Sequence, residues 1–228
     1  MNPLAIDRGR ELKAVLARAA IAAIEAIRDV EPRARFVHTE PAITIHSKSD
    51  RWEDRVAARD YTNSQLEVWD YISGRLRPEL GGRPEYVDIV RVNYYAYNQW
   101  IDGGTWIEVD HPRYGPLHHI LRNIHARYGQ PMFIAETGIE AHERPLWLRF
   151  LAGEVAQARA LGVPMEGICW YPITDYPGWL DDRHCPAGLL GYVEADGTRP
   201  VYKPLADEIL SQRTSFDVSR PRRREPRV

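Results

Sequence analysis

The chain has 228 residues, a net charge of −2 and 44% hydrophobic residues, which is enough for one large domain with an ordinary packed core. The near-neutral charge predicts no general affinity for nucleic acid or anionic membranes, and no stretch approaches the ~20 apolar residues of a membrane span. The N-terminus has no apolar signal core, and the two cysteines, Cys169 and Cys185, form no CxxC motif. These features predict a cytoplasmic protein without a disulfide framework.

Helices and strands are predicted to alternate along the chain. The first helix is predicted at residues 4–30, because apolar residues recur at steps of three and four before the break at Pro32. Four strands follow, rich in β-branched and aromatic residues and separated by helical segments. These strands are predicted at residues 33–41, 86–95, 131–136 and 165–173. Alternation of this kind predicts parallel pairing and an α/β architecture.

The remaining helices complete the predicted domain. They are expected through Leu66, Trp69 and Ile72, over 115–129 and 145–162, and as a short last helix near 204–210. Residues 1–212 are predicted to form one domain. Residues 213–228 are rich in proline and arginine and are predicted to be a disordered tail. So short a basic tail is not expected to bind nucleic acid.

Polar and aromatic groups follow each predicted strand, in the segments VHTEP, RVNYY, FIAETG and CWYPITDYPGW. The carboxyl ends of parallel strands meet at one edge of a sheet, where functional groups gather. We therefore expect Asn93, Tyr95, Glu136 and Trp170 to converge. For Glu136, which ends an apolar run, the stretch alone leaves two explanations open. The carboxylate has simply reached solvent at the strand end, or it faces a pocket and does chemistry there.

The sequence predicts neither a cofactor nor a metal. There is no GxxxxGK[ST] phosphate-binding loop and no GxSxG nucleophile elbow. The segment DDRHC, residues 181–185, contains carboxylate, imidazole and thiolate groups that can bind metals, but a solvated loop is the favoured interpretation.

Three segments in order, DIVRVNYY, PMFIAETG and GICWYPITDYPGW with the following GLLGYVEADGTRPVYKP, resemble the last three strands of family 1 glycoside hydrolases, the β-glucosidase family. Members carry GxNYY, ITENG and a tryptophan-rich segment followed by GLVYVD. The resemblance covers nearly all of residues 4–212. It implies a (β/α)8 barrel of the TIM type, of which this chain is the C-terminal half, about strands five to eight.

The resemblance also implies roles for individual residues. Glu136 matches the nucleophile that forms the glycosyl-enzyme intermediate, and Tyr95 and Asn93 match residues that approach this nucleophile and the sugar. Trp170 matches the aromatic platform beneath the sugar. Trp179 is the expected second substrate-binding tryptophan.

The sugar-binding pattern is imperfect at one point. Where the family has Glu-Trp, this chain has Gly178-Trp179 with one extra residue in the spacing. Asp181 and Asp182 are the candidate replacements for the missing glutamate.

The sequence leaves open whether Glu40 is the second carboxyl group of a catalytic pair. A retaining glycosidase needs two carboxyl groups about 5–5.5 Å apart. The segment HTEP resembles the family's NEP, which carries the acid/base on the fourth strand. However, the register from the upstream helix favours the fifth strand for Glu40, with the acid/base upstream of this chain. A compact, complete fold with Glu40 as the acid is the third option.

Two classes of function follow. The first is a retaining glycoside hydrolase with carbohydrate as its partner. The alternative is a non-catalytic carbohydrate-binding or interaction protein with a degenerate glycosidase fold. In either case a half barrel has open sheet edges, which predict self-association.

Overall fold

The computed structural model describes residues 8–178 and 181–217. Six α-helices alternate with strands along this part of the chain. The helices are α1 (Gly9–Val30), α2 (Trp52–Asn63), α3 (Glu67–Ile72), α4 (Leu117–Tyr128), α5 (Arg144–Ala160) and α6 (Lys203–Asp217). The strands are β1 (Val37–Pro41), β2 (Thr44–His46), β3 (Ile89–Asn93), β4 (Gln99–Ile101), β5 (Met132–Thr137), β6 (Met165–Trp170), β7 (Tyr176–Pro177) and β8 (His184–Cys185).

The main sheet contains four parallel strands in the order β1-β3-β5-β6. Each strand is connected to the next through at least one helix, which is how parallel strands are joined. This confirms the predicted α/β architecture with four adjacent parallel strands. The outer edges of β1 and β6 have no strand partner within the described residues, so the sheet is open. Self-association through these edges stays a prediction.

The two faces of the sheet have different surroundings. Val92 and Ile134 are fully buried and belong to the core that the helices cover. Arg91 and Phe133 point to the other face, where the guanidinium lies 3.9 Å from the centre of the phenyl ring. The first face is therefore the helix side, and the second corresponds to the interior of a barrel.

Several elements differ from the sequence-based expectation. Strands β2 and β4 pair in parallel as a separate two-stranded sheet, and β7 and β8 form an antiparallel hairpin. None of these was predicted, because strands of two or three residues are too short to show a periodic pattern. The predicted second helix is two helices, α2 and α3, joined by a 3-10 turn.

The predicted boundary between domain and tail also moves. Helix α6 has 15 residues rather than being short, and it continues to Asp217, past the expected end of the domain at residue 212. The rest of the predicted tail, 218–228, lies outside the described residues, as do residues 4–7 of the predicted first helix.

Candidate active site

An irregularity in strand pairing decides which way Glu136 points. Val92 pairs with Ile134, but the next residue, Asn93, pairs with Glu136 rather than Ala135. Simple alternation from Ile134 would place Glu136 on the helix side. The extra residue reverses this, as β-bulges do when they re-aim a side chain. Glu136 therefore shares the face of Asn93, at the carboxyl end of the sheet.

Two side chains from β3 and the loop after it hold the Glu136 carboxylate. The Tyr95 hydroxyl donates a short hydrogen bond to Oε1, and Asn93 Nδ2 donates to Oε2 at 3.3 Å. The Tyr94 amide donates to the Glu136 carbonyl at 3.0 Å, which fixes the backbone between them. Asn93 Oδ1 is buried and has no hydrogen-bond partner among the described residues.

The environment of Tyr95 keeps its hydroxyl protonated. Burial raises the pKa of Tyr95 far above its ordinary value, and the hydrogen bond to Glu136 and the negative charge of that carboxylate raise it further. A protonated phenol can donate to a carboxylate, and such donation stabilises the ionised form of the acid. Tyr95 is therefore a neutral hydrogen-bond donor to Glu136.

A cavity of ≈ 540 Å³ opens at this edge of the sheet. Its lining is dominated by tyrosines and carboxylates. The polar and aromatic members include Tyr95, Tyr97, Glu136, Glu140, Tyr171 and Tyr176. Four of these, Tyr97, Glu140, Tyr171 and Tyr176, were not singled out from the sequence. Tyr97, Glu140 and Tyr176 lie beyond the ends of the predicted strands, and Tyr171 lies within the strand predicted at 165–173.

Glu140 is fixed in the cavity wall by Arg183. The guanidinium donates to both carboxylate oxygens, at 2.6 and 2.9 Å. These hydrogen bonds lower the pKa of Glu140 despite its partial burial. A bidentate pair of this kind gives a fixed geometry. Glu140 is therefore an ionised hydrogen-bond acceptor rather than a proton donor.

The predicted acidic replacements lie elsewhere. Asp181 Oδ1 accepts a hydrogen bond from the Arg183 amide at 3.1 Å, so it stabilises the turn between β7 and β8. Asp182 is exposed. Neither residue lines the cavity described above, whereas Glu140 does.

Of the two tryptophans predicted to bind substrate, Trp170 lies within the described residues and Trp179 does not. Trp170 ends β6 and pairs in register with Thr137, next to Glu136. However, its ring packs against the hydrophobic core, and Nε1 donates to the Ala187 carbonyl at 3.0 Å. The following residue, Tyr171, lines the cavity. Trp179 lies outside the described residues.

Gly138 is needed where β5 leaves the sheet. The Tyr171 amide donates to the Thr137 carbonyl at 2.7 Å, which brings the two strand ends into close contact. A Cβ atom at position 138 would overlap the Tyr171 carbonyl oxygen. The absence of a side chain lets the segment after Glu136 pass directly beneath the loop that follows β6.

Glu40 does not share the site with Glu136. It lies on β1 and pairs with Val92, so its side chain leaves the sheet on the helix side, whereas Asn93 and Glu136 occupy the other face. Burial raises the pKa of Glu40 to about 7, and the positive charge of Lys13 on α1 opposes this rise. The placement argues against Glu40 as the acid partner of Glu136.

The described part of the chain contains no cluster of three or more His, Cys, Asp or Glu side chains suited to a metal ion. Within the DDRHC segment, His184 interacts with Asp175 at 3.2 Å and Cys185 is buried. None of the described helices is long and apolar enough to cross a membrane.

The architecture is that of part of a (β/α)8 TIM barrel. The family 1 β-glucosidase from Thermotoga maritima superimposes with a TM-score of 0.67 at 16% identity. The AHE enzyme from Alicyclobacillus herbarius gives a TM-score of 0.68 at 14% identity. The match covers 88% and 89% of this chain, respectively, and 56% of each of theirs.

A hyperthermophilic β-glucosidase mutant gives a TM-score of 0.64 at 17% identity, over 86% of this chain and 47% of its own. The chain thus spans about half the length of these structures. The comparison confirms at the level of the fold the resemblance found in the strand motifs. No family model matches the sequence, and no curated protein matches it.

Proposed function

We propose that this chain carries the nucleophile side of the active site of a retaining glycoside hydrolase. The observation that supports this most strongly is the Glu136 carboxylate, held by Tyr95 and Asn93 at the edge of a cavity. One carboxylate oxygen would bond to the anomeric carbon while the bond from that carbon to the leaving-group oxygen breaks with its electron pair. Water would then hydrolyse the resulting glycosyl ester.

Each neighbour of Glu136 has a definite role in this proposal. Tyr95 donates a hydrogen bond to one carboxylate oxygen and fixes the direction of attack. Asn93 shares this task through Nδ2. Its Oδ1 is buried and has no hydrogen-bond partner among the described residues.

The acid/base is proposed to come from a segment outside this chain. A general acid must be protonated when it approaches the leaving group. Glu140 is the best-fixed other carboxylate in the cavity, but its pairing with Arg183 lowers its pKa. Glu40 lies on the opposite face of the sheet.

The composition of the cavity favours a second candidate function. The described part of the cavity combines a sugar-sized space and tyrosine rings, and Glu140, the carboxylate that Arg183 fixes in its wall, has a lowered pKa. A protein of this composition would bind carbohydrate without hydrolysing it. We retain a non-catalytic carbohydrate-binding protein as the alternative.

One experiment separates the two candidates, because activated substrates need no acid catalyst. The chain is incubated with a dinitrophenyl β-glucoside in which fluorine replaces the hydroxyl next to the anomeric carbon. A nucleophile displaces dinitrophenolate, and the fluorinated glycosyl ester persists. We expect one sugar adduct by mass spectrometry, located on the peptide containing Glu136. Glu136→Gln should give none, because an amide is a poor nucleophile, and Glu140→Gln should still react.

The remaining outcomes are decisive. Binding of methyl β-glucoside by calorimetry without any adduct would support the binding protein. An adduct at a residue other than Glu136 would contradict the assignment of the nucleophile.

A further inference from the structure

Helix α1 exposes an apolar face to solvent along its whole length. It buries one side in the core, through Ala14, Ala17, Ile21 and Ile24. The opposite side, the outer face of α1, carries nine exposed apolar residues, Leu12, Val15, Leu16, Ala19, Ala22, Ala23, Ala26, Ile27 and Val30. The side of a helix that faces solvent is ordinarily polar, and a long exposed apolar patch marks an interaction surface.

Another helix of the same domain shows the ordinary pattern. The exposed positions of α4 are His119, Arg122, Asn123, Ala126 and Arg127. The long apolar surface is thus a feature of α1, the helix that leads directly into the edge strand β1.

The spacing of the outer face suits packing against a second helix. Alternating steps of four and three residues separate Leu12, Leu16, Ala19, Ala23, Ala26 and Val30. Residues spaced in this way form the seam along which two helices pack over several turns. The alanines at its centre allow a close approach, because the distance between two helix axes depends on the side chains in contact.

The outer face is also complementary to itself in size. When two copies of α1 lie antiparallel about a twofold axis level with Ile21, each residue meets the one equally far on the other side of Ile21. The opposed pairs include Leu12 with Val30, Val15 with Ile27, and Ala19 with Ala23. Large residues therefore meet large ones at both ends of the helix pair and alanines meet at its centre, as a self-complementary twofold contact requires.

The charges beside the outer face favour the same arrangement. Arg18 and Glu25 are exposed and lie seven residues apart, so they share one flank of the helix. Arg18 stands three residues before Ile21 and Glu25 four residues after it. Antiparallel pairing therefore brings Arg18 of each copy beside Glu25 of the other. The two ion pairs are equivalent by symmetry, which favours a second copy over an unrelated partner.

We infer that the outer face of α1 binds a second copy of this chain, as an antiparallel helix pair with twofold symmetry. Removal of the nine apolar residues from water drives the association, and Arg18 and Glu25 set the direction of pairing. Each chain contributes one helix, so the interface is small and its dissociation constant is expected at roughly 1–50 µM. This contact does not use the open edges of the sheet.

Sedimentation velocity of the full chain over a range of concentrations tests this contact. Ala19→Glu with Ala23→Glu should weaken association at least about 100-fold, because the pairing places the new carboxylates against each other in an apolar contact. Ala126→Glu with Ala156→Glu adds the same charges at exposed positions of α4 and α5. This control should leave the dissociation constant within about twofold of the native value.

An exchange of charges tests the direction of pairing. A dimer of the Arg18→Glu chain brings four carboxylates together, and a dimer of the Glu25→Arg chain brings four guanidinium groups together. Each variant alone should associate roughly tenfold more weakly than the native chain. Mixing the two variants restores both pairs of opposite charge and should restore the affinity to within about threefold.

Thermal unfolding establishes that each variant is folded. The control matters most for Glu25→Arg, because Glu25 accepts a hydrogen bond from the Tyr86 hydroxyl at 2.8 Å. The alanine substitutions replace one good helix former with another.

Three results would overturn the inference. The first is a native chain that stays monomeric at about 100 µM. The second is association that survives Ala19→Glu with Ala23→Glu, which would place the contact elsewhere, such as at the open strand edges. The third is a mixture of the Arg18→Glu and Glu25→Arg chains that associates no better than its components, which would exclude the antiparallel pairing.

Discussion

Replacing Glu40 with glutamine should remove a loss of stability that the native chain undergoes as pH rises. Glu40 lies on the helix side of β1, and burial raises its pKa from 4.5 to about 7. The folded chain therefore holds a proton that the unfolded chain releases between these values. Stability is highest below the unfolded pKa and decreases as pH rises through the folded one.

The size of the effect follows from the two pKa values. Each pKa unit corresponds to about 1.4 kcal/mol, so the full difference is ~3 kcal/mol. Glu40 is not completely buried, and water reduces the penalty to about 2 kcal/mol. Glutamine has nearly the same shape and carries no charge at any pH. At pH 8 Glu40→Gln should be more stable than the native chain by roughly this amount, and near pH 5 the two should be similar.

The assay is urea unfolding of both proteins at pH 5, 6.5 and 8, at one ionic strength. The comparison with the variant is essential because His38, on the same face of β1, has a pKa lowered by burial and a dependence of the opposite sign. Glu166→Gln alters an exposed carboxylate on β6 and serves as the control, with an unchanged profile expected. If the native chain and Glu40→Gln lose stability in parallel between pH 5 and 8, Glu40 is not the buried acid described here.

Two further predictions concern the site. Tyr95→Phe removes the hydroxyl that donates to Glu136 and should slow covalent trapping roughly 10- to 100-fold, since a hydrogen bond to a charged group contributes about 1.5–3 kcal/mol. The rate of trapping is measured by mass spectrometry over time. An undiminished rate would exclude a role for the hydroxyl. Gly138→Ala should destabilise the chain by more than about 1 kcal/mol, because the new methyl group overlaps the Tyr171 carbonyl oxygen. Gly153→Ala, in the middle of α5 with open space around it, should instead stabilise by about 0.5–1 kcal/mol; equal effects of the two substitutions in urea unfolding would refute the argument from close approach.

Much of the fold could be predicted because its signals are local. The four main strands and the helices between them have hydrophobic patterns long enough to recognise. Strands β2 and β4 have three residues each, and they are anchored by side chains that no periodic pattern includes. Gln99, for example, is fully buried and donates to the Gly115 carbonyl at 2.6 Å. Such anchors depend on contacts between distant parts of the chain.

Part of the candidate site was predictable because its sequence signals are also local. Asn93, Tyr95 and Glu136 stand at the ends of recognisable strands, and the structure brings them together. The Glu140–Arg183 pair joins residues 43 positions apart and links the segment after β5 to the loop between the two-residue strands β7 and β8. Neither residue ends a long strand, so the sequence gives no reason to choose Glu140 over Asp181 or Asp182.

Glu40 and Glu136 show why a carboxylate at a strand end is ambiguous in sequence. Both lie near the carboxyl ends of parallel strands in the same sheet. In β1 the pairing is regular, and Glu40 falls beside Val92 on the helix side, where burial favours its protonated form. In β5 an extra residue shifts the pairing, and Glu136 turns to the face where Tyr95 can donate to it. The extra residue is Ala135, which nothing in the sequence marks as a bulge. A single irregularity in pairing therefore separates a carboxyl group whose protonated form is favoured by burial from one that Tyr95 and Asn93 hold on the opposite face of the sheet.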